Sequence, residues 1–247
     1  MAEPLHLLAI GAHPDDAEMT CGGWLALASS QGYRTGILHL SRGEMGTHGT
    51  PETREKEARE AARILGCAEV AFAGFKDGFI DDSHESVRIV VDQLRRLKPQ
   101  VVVAPWFTCH HPDHEATARL AKRAVHFAAL KGYATDLPPH RAQRLVHARY
   151  SQRFDESFYV DISAVVETKK QAILAYASQF QHVVEEDGKP LTRMSKSGFI
   201  DQFLSITAHF GLKCGCLHAE AYHLGTAPLV SDPIKLLGDG PAQHLIR

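Results

Sequence analysis

The chain has 247 residues, 27 Lys and Arg against 29 Asp and Glu, and a formal net charge of −2. That length suits one α/β domain with a full core, and the near-neutral balance excludes the basic footprint of a nucleic-acid or anionic-membrane binder. Five cysteines form no C-x-x-C pair, and there is neither a basic leader nor an apolar run long enough to span a bilayer, so the expected location is a reducing cytoplasm.

The first apolar run, HLLAI (6–10), reads as a buried strand that stops abruptly in AHPDD. A helical pattern follows over 17–31, with Met19, Trp24, Leu25, Leu27 and Ala28 on its apolar side, ended by Gly32. TGILHL (35–40) is the second strand. In TPETREKEAREAARILG, Thr50 is placed as N-cap and Pro51 at the first helical position. Ala58, Ala61, Ala62 and Leu65 then recur at helical spacing until Gly66 closes the helix. EVAFAG (69–74) and QVVVAPW (100–106) are strands on either side of SHESVRIVVDQLRRLKP, a helix with Val87, Val90, Val91, Leu94 and Leu97 inward. A loop with His110, His111, Asp113 and His114 leads into another helix. Later, RLVHARYS, SFYVDIS and LHAEAYHL read as strands, 163–178 and 198–210 as helices, and 184–198 as a polar surface loop. Cys214 and Cys216 read as packing residues on one face of an extended segment. Near-continuously apolar strands joined by amphipathic helices imply a Rossmann-like, mostly parallel sheet with helices on both faces, one domain over 1–247.

In such sheets ligands bind beyond the carboxyl ends of the strands. His13 falls there, and Pro14 keeps it out of helical geometry. Asp15 and Asp16 follow in the first helical turn, where the dipole favours each carboxylate by about 0.3–1 kcal/mol. An N-terminal cap thus accounts for the Asp pair but not for the imidazole before it. The turn lacks G-x-G-x-x-G, and two carboxylates would repel a pyrophosphate, so a dinucleotide is disfavoured. The His110–His114 cluster leaves a second strand at the same edge. Imidazoles and carboxylates from the two loops suit Zn²⁺ at about 2.0–2.2 Å, and three protein ligands with an open position would make the site catalytic. The competing reading is a set of solvated surface residues. His39, inside the second strand, and the remaining histidines read as ordinary core or surface groups.

AHPDD after the first strand, together with HPDH after a later one, resembles the LmbE-like (PIG-L) family of zinc-dependent N-acetylglucosaminyl deacetylases. RGEMGTHGTPETREKEAREAARILG is similar to the corresponding segment of its bacillithiol-pathway members, and KKQAILAYASQF and CLHAEAYHL are similar to the family's C-terminal half. The resemblance implies His13, Asp16 and His114 as ligands of one Zn²⁺ per chain, with Fe²⁺ as the other candidate metal. It implies Asp15 as general base, His111 as the group that steadies the oxyanion and protonates the amine, and Asp113 as support for one of these imidazoles. It places Arg54, Glu44 and Arg141 on the substrate. The implied reaction is removal of acetyl from an N-acetylglucosamine conjugate, plausibly N-acetylglucosaminyl malate in bacillithiol biosynthesis, by a homo-oligomer (trimer or hexamer). The alternatives are the same deacylation of another glycan or small amide, and an idle sugar-binding module. Bacillithiol-type members often carry Arg just before HPDH, where this chain has His110, which leaves the acidic aglycone open.

The residue types suit that chemistry. A metal activates water and polarises an amide carbonyl. Of two adjacent Asp, one faces the metal comfortably, and the other is left free to take a proton. Arg54 in a first helical turn opposes the dipole at a cost of a few tenths of a kcal/mol; without the resemblance it reads equally well as a solvated partner of Glu55 or Glu57.

Overall fold

The computed structural model describes residues 3–150, 154–180 and 192–232. In chain order they form β1 (Leu7–Gly11), α1 (Asp16–Ser30), β2 (Thr35–His39), α2 (Pro51–Ile64), β3 (Glu69–Phe72), α3 (His84–Leu97) and β4 (Val101–Pro105). Then come α4 (Pro112–Ala128), β5 (Arg144–Ala148), β6 (Phe158–Asp161), α5 (Val166–Leu174), α6 (Ala177–Phe180), α7 (Phe199–Cys214) and β7 (Ala219–Leu224). The seven strands make one sheet in the order β3-β2-β1-β4-β5-β7-β6. β1 pairs in parallel with β2 and β4, and β4 with β5, while β7 runs antiparallel to both of its neighbours.

The apolar strands are explained by a core on each face. Leu8, Ile10, Leu38 and Val102 pack on one side with Val87, Val90 and Leu94 of α3 and Leu120 of α4. Leu7, Ala9, Ile37 and Val103 pack on the other with Leu25 of α1 and Ala58, Ala61 and Ala62 of α2. The Thr50 hydroxyl accepts from the Thr53 N–H at 3.2 Å with Pro51 behind it, so the α2 entry matches its sequence signal. Gly66 turns the chain out at φ 73°.

Three local features depart from the sequence reading. The helix expected over 163–178 divides into α5 and α6 at Tyr176, whose ring is buried and whose hydroxyl donates to Glu18 Oε1 at 2.8 Å. Cys214 ends α7 instead of lying in a strand, with its Sγ 3.6 Å from that of Cys216; none of the five cysteines forms a disulfide. The polar stretch 184–198 is not among these departures: residues 184–191 lie outside the described residues, and 192–198 are turns and bends, as expected of a loop. Finally, α1 breaks at Cys21 (φ −137°, ψ 17°). The break is capped from the far end of the chain: the Glu220 carboxylate accepts from the N–H groups of Gly23 and Trp24, both at 2.8 Å, from the Tyr222 hydroxyl at 2.6 Å and from the Lys169 ammonium. A β-carbon at Gly23 would lie 2.6 Å from Ile162 Cγ2, so only glycine admits this approach.

Arg95 is buried without a carboxylate. Its guanidinium instead donates to the carbonyls of Ala128, Leu130, Tyr133 and Leu137 and to Thr135 Oγ1, which staples the α4–β5 connection to α3. No helix among the described residues is long and apolar enough to cross a membrane.

Candidate metal centre

The strand order reverses between β1 and β4, so the loops that follow these two strands part and leave a crevice at the carboxyl edge. His13 leaves β1 into that crevice. Asp15 then adopts a left-handed backbone (φ 99°, ψ −28°), a conformation that costs a non-glycine residue about 1–3 kcal/mol and persists only where its surroundings enforce it. Here the Asp15 carbonyl accepts from the Met19 N–H at 2.9 Å, and Asp16 Oδ2 accepts from the His13 N–H at 2.8 Å. Across the crevice, His111 is the N-cap of α4, its Nδ1 accepting from the Asp113 N–H at 3.3 Å, and Pro112 sets the first turn. His114 follows one turn on.

The two loops meet. His13 Nδ1 is 3.4 Å from Asp16 Oδ2, and Asp16 Oδ1 is 3.2 Å from His114 Nε2. The other His13 nitrogen, Nε2, faces Asp77 Oδ1 at 3.0 Å and Asp113 Oδ2 at 3.3 Å. His111 packs on both imidazoles, with ring centroids 4.8 Å away in each case. His13, His111 and His114 bring one donor atom each within 4.8 Å of one another, and so do His13, Asp77 and Asp113. Cys109 Sγ lies 3.2 Å from His114 Nδ1.

The field here favours a cation. Burial opposes a charge on His13, but hydrogen bonds donated to the carboxylates of Asp113, Asp16 and Asp77 outweigh it and push its pKa up to about 12. Burial likewise opposes charge on His114, and Asp16 raises its pKa to about 9. Burial opposes ionisation of Asp16, yet His114 and His13 hold its carboxyl well below the usual carboxylate range. His111 shifts the other way, lowered by burial and by the charges of His13 and His114. Imidazole nitrogens and carboxylate oxygens converging in a buried, net-acidic cleft fit a divalent metal, which would displace the protons now held there.

Asp15 points elsewhere. Its Oδ2 accepts from Arg54 Nη2 at 3.1 Å, and the same nitrogen donates to the Pro14 carbonyl at 2.5 Å while Nη1 donates to the Gly43 carbonyl at 3.1 Å. Arg54 is therefore buried on the would-be base, not solvated. Burial raises the Asp15 pKa, Arg54 opposes it, and Asp16 adds to it, leaving a value of about 7.

Of the sequence-derived site residues, the structure brings together His13, Asp15, Asp16, Arg54, His111, Asp113 and His114. Glu44 lies at the rim with its oxygens on the N–H groups of Asp77 and Arg42. Arg141 is not brought in. It precedes β5, whose first residue pairs with Val101 at the start of β4, so it lies at the opposite end of the sheet. Sequence reasoning missed Asp77, a single carboxylate in the loop after β3; its place at a carboxyl strand end was the available signal. It also missed that His39 reaches the His13 carbonyl at 3.3 Å through Nδ1 and lies 3.9 Å from the buried Glu18.

Comparison with known proteins identifies the family. The model of the PIG-L family, GlcNAc-PI de-N-acetylase, matches residues 8–125, a span that contains both loops of the crevice. The diacetylchitobiose deacetylase of Thermococcus kodakarensis is 29% identical over 87% of this chain and 80% of its own length. A probable N-acetyl-alpha-D-glucosaminyl L-malate deacetylase 2 from Bacillus cereus is 26% identical over 73% of this chain and 86% of its own. The crystal structure of the conserved protein TT1542 from Thermus thermophilus superimposes with a TM-score of 0.83 at 40% identity, covering 93% of this chain and 98% of that one.

Proposed function

This chain belongs to the PIG-L (LmbE-like) family of deacetylases, and from that premise we propose that it hydrolyses the N-acetyl group of an N-acetylglucosamine conjugate, with N-acetylglucosaminyl malate the leading substrate and one zinc ion per chain. The observation that carries the reading is the meeting of His13, Asp16 and His114 at the β1/β4 crevice, with a second carboxylate, Asp15, beside them and held by an arginine.

His13, Asp16 and His114 are the proposed ligands. When bound, zinc lowers the pKa of water towards about 7 and polarises the amide carbonyl. Asp15 takes the proton from the attacking water at a carboxylate oxygen. Arg54 fixes the orientation of Asp15 and stabilises its ionised form, a role its contacts support better than a grip on sugar hydroxyls. His111 has Nδ1 accepting from the Asp113 N–H, so the neutral ring keeps its hydrogen on Nε2, the atom that donates a hydrogen bond to the developing oxyanion, while the proton that Asp15 takes from the water is the one passed to the departing amine. Glu44 and the loop around it form the rim nearest the sugar. The absence of disulfides suits a reducing cytoplasm.

The test is amine release by zinc-loaded protein from N-acetylglucosaminyl malate, diacetylchitobiose and N-acetylglucosamine in parallel, repeated after chelation and after adding back Zn²⁺ or Fe²⁺. Preference for the malate conjugate supports the leading substrate, and preference for diacetylchitobiose moves the assignment to oligosaccharides. No turnover on any acetylated amino sugar overturns the reading.

A further inference from the structure

We infer that Asp77 is a positioning residue for the metal centre: together with Asp113 it accepts the Nε2–H of His13 and so commits the Nδ1 lone pair to the metal. The inference rests on the proposed role of His13 as a ligand.

A neutral imidazole carries one N–H, and its partner decides which nitrogen keeps it. On the Nε2 side of His13 stand two carboxylate oxygens, Asp77 Oδ1 at 3.0 Å and Asp113 Oδ2 at 3.3 Å. On the Nδ1 side Asp16 and His114 converge. A hydrogen on Nε2 satisfies both carboxylates and turns the lone pair towards the converging ligands. The opposite tautomer would set a lone pair against two negative oxygens.

Asp77 is built to hold that position. It is buried, and its second oxygen, Oδ2, accepts from the Met45 N–H at 2.9 Å. Its own N–H donates to Glu44 Oε1 at 2.8 Å, and Glu44 Oε2 accepts from the Arg42 N–H at 3.2 Å. The next residue, Gly78, donates its N–H to Asp113 Oδ2 at 2.7 Å. The loops after β2 and β3 are thus tied reciprocally, and one short segment places both carboxylates behind the same imidazole. With one oxygen on His13 and the other on Met45, Asp77 has its acceptors committed inside the protein, which argues against a contact with substrate. Glu44 acts one step further back, through Asp77.

The deciding experiment is zinc affinity of Asp77→Asn, measured by competition with a chromophoric chelator. Asparagine offers one acceptor oxygen where two are used, so either the Met45 N–H loses its partner or the His13 N–H is left with Asp113 alone. The expected loss is about 10–100-fold in zinc affinity, with KM at saturating zinc changed by less than about twofold. Unchanged zinc affinity overturns the inference, and unchanged affinity with a raised KM reassigns Asp77 to substrate. A second reading covers the case in which the variant does not fold. In wild-type protein with ring-nitrogen-labelled histidine, the metal-loaded minus metal-free spectrum should show His13 protonated at Nε2 and metallated at Nδ1; metallation at Nε2 overturns the inference. Neither readout needs turnover, so failure here is separate from failure of the deacetylase assignment, which amine release decides.

Discussion

Lys169→Met removes one half of an ion pair that is almost fully enclosed: Lys169 is 1% exposed and Glu220 3%. The Glu220 carboxylate would keep three donors, the N–H groups of Gly23 and Trp24 and the Tyr222 hydroxyl, but would have no positive neighbour in contact among the described residues. Removing one partner of a buried pair costs about 3–5 kcal/mol, chiefly the penalty of the charge left behind. For a chain of this size that is a fall in Tm of roughly 6–20 °C. Glu220→Gln strands the ammonium instead and should cost a similar amount. The double variant leaves no charge: methionine fills the space of the lysine stem, and the glutamine oxygen still accepts from Gly23 or Trp24. It should therefore be only about 2–3 kcal/mol less stable than wild type, a coupling energy of at least about 3 kcal/mol. Urea unfolding followed by circular dichroism, at constant slope, measures all four corners of the cycle. Additivity of the two single changes within about 0.5 kcal/mol would refute the reasoning, because the carboxylate would then be held by its other donors alone.

Three further outcomes follow from contacts described above. Asp15→Asn tolerates the left-handed backbone and keeps the metal ligands, so it should retain zinc by elemental analysis while losing about 10²–10⁴-fold in kcat; near wild-type turnover would remove Asp15 as base. Arg54→Met should lower kcat at least tenfold with KM within about twofold, since it frees the base and not the sugar, and a rise in KM alone would return Arg54 to the substrate. Arg95→Met should cost about 2–4 kcal/mol in urea unfolding by leaving buried carbonyls of the α4–β5 connection without donors, with kcat unchanged because the staple is remote from the crevice.

Much of the fold was legible because its signals are local. Thr50, Pro51 and Gly66 bound α2 within the chain itself, and strands covered on both faces announce themselves as continuous apolar runs. The site was legible as far as it rests on strand exits: His13 and Asp16 after β1, and His111 and His114 after β4, are consecutive groups at the edge where ligands bind. Asp77 was not, because one carboxylate in a loop has no pattern of its own; only the β2–β3 pairing brings it beneath His13. Arg54 illustrates the same limit. Its position in α2 fitted a surface arginine or a substrate contact, and only the fold shows that Asp15 lies within its reach. Arg141 was placed on the substrate by the family resemblance alone, and a sequence does not say at which end of a strand a loop will lie. The split at Tyr176 and the break at Cys21 both answer to residues more than 150 positions away in the chain, Glu18 and Glu220.

The insertion of β7 between β5 and β6 has a consequence for how the molecule is made. The residues that meet at the crevice all leave the ribosome before β5, the last of them being His114. The carboxylate that caps the break in α1 is 197 positions further along than the Gly23 N–H it binds. At about 5–20 residues per second this interval lasts roughly 10–40 s. Throughout that time α1 carries Asp16 on a helix whose second segment is uncapped, and in its last part, once Asp161 has been made, β5 and β6 have no strand between them. A nascent chain can therefore gather the proposed metal-binding groups before it can hold them rigidly, because the strand that locks the helix behind them is made later.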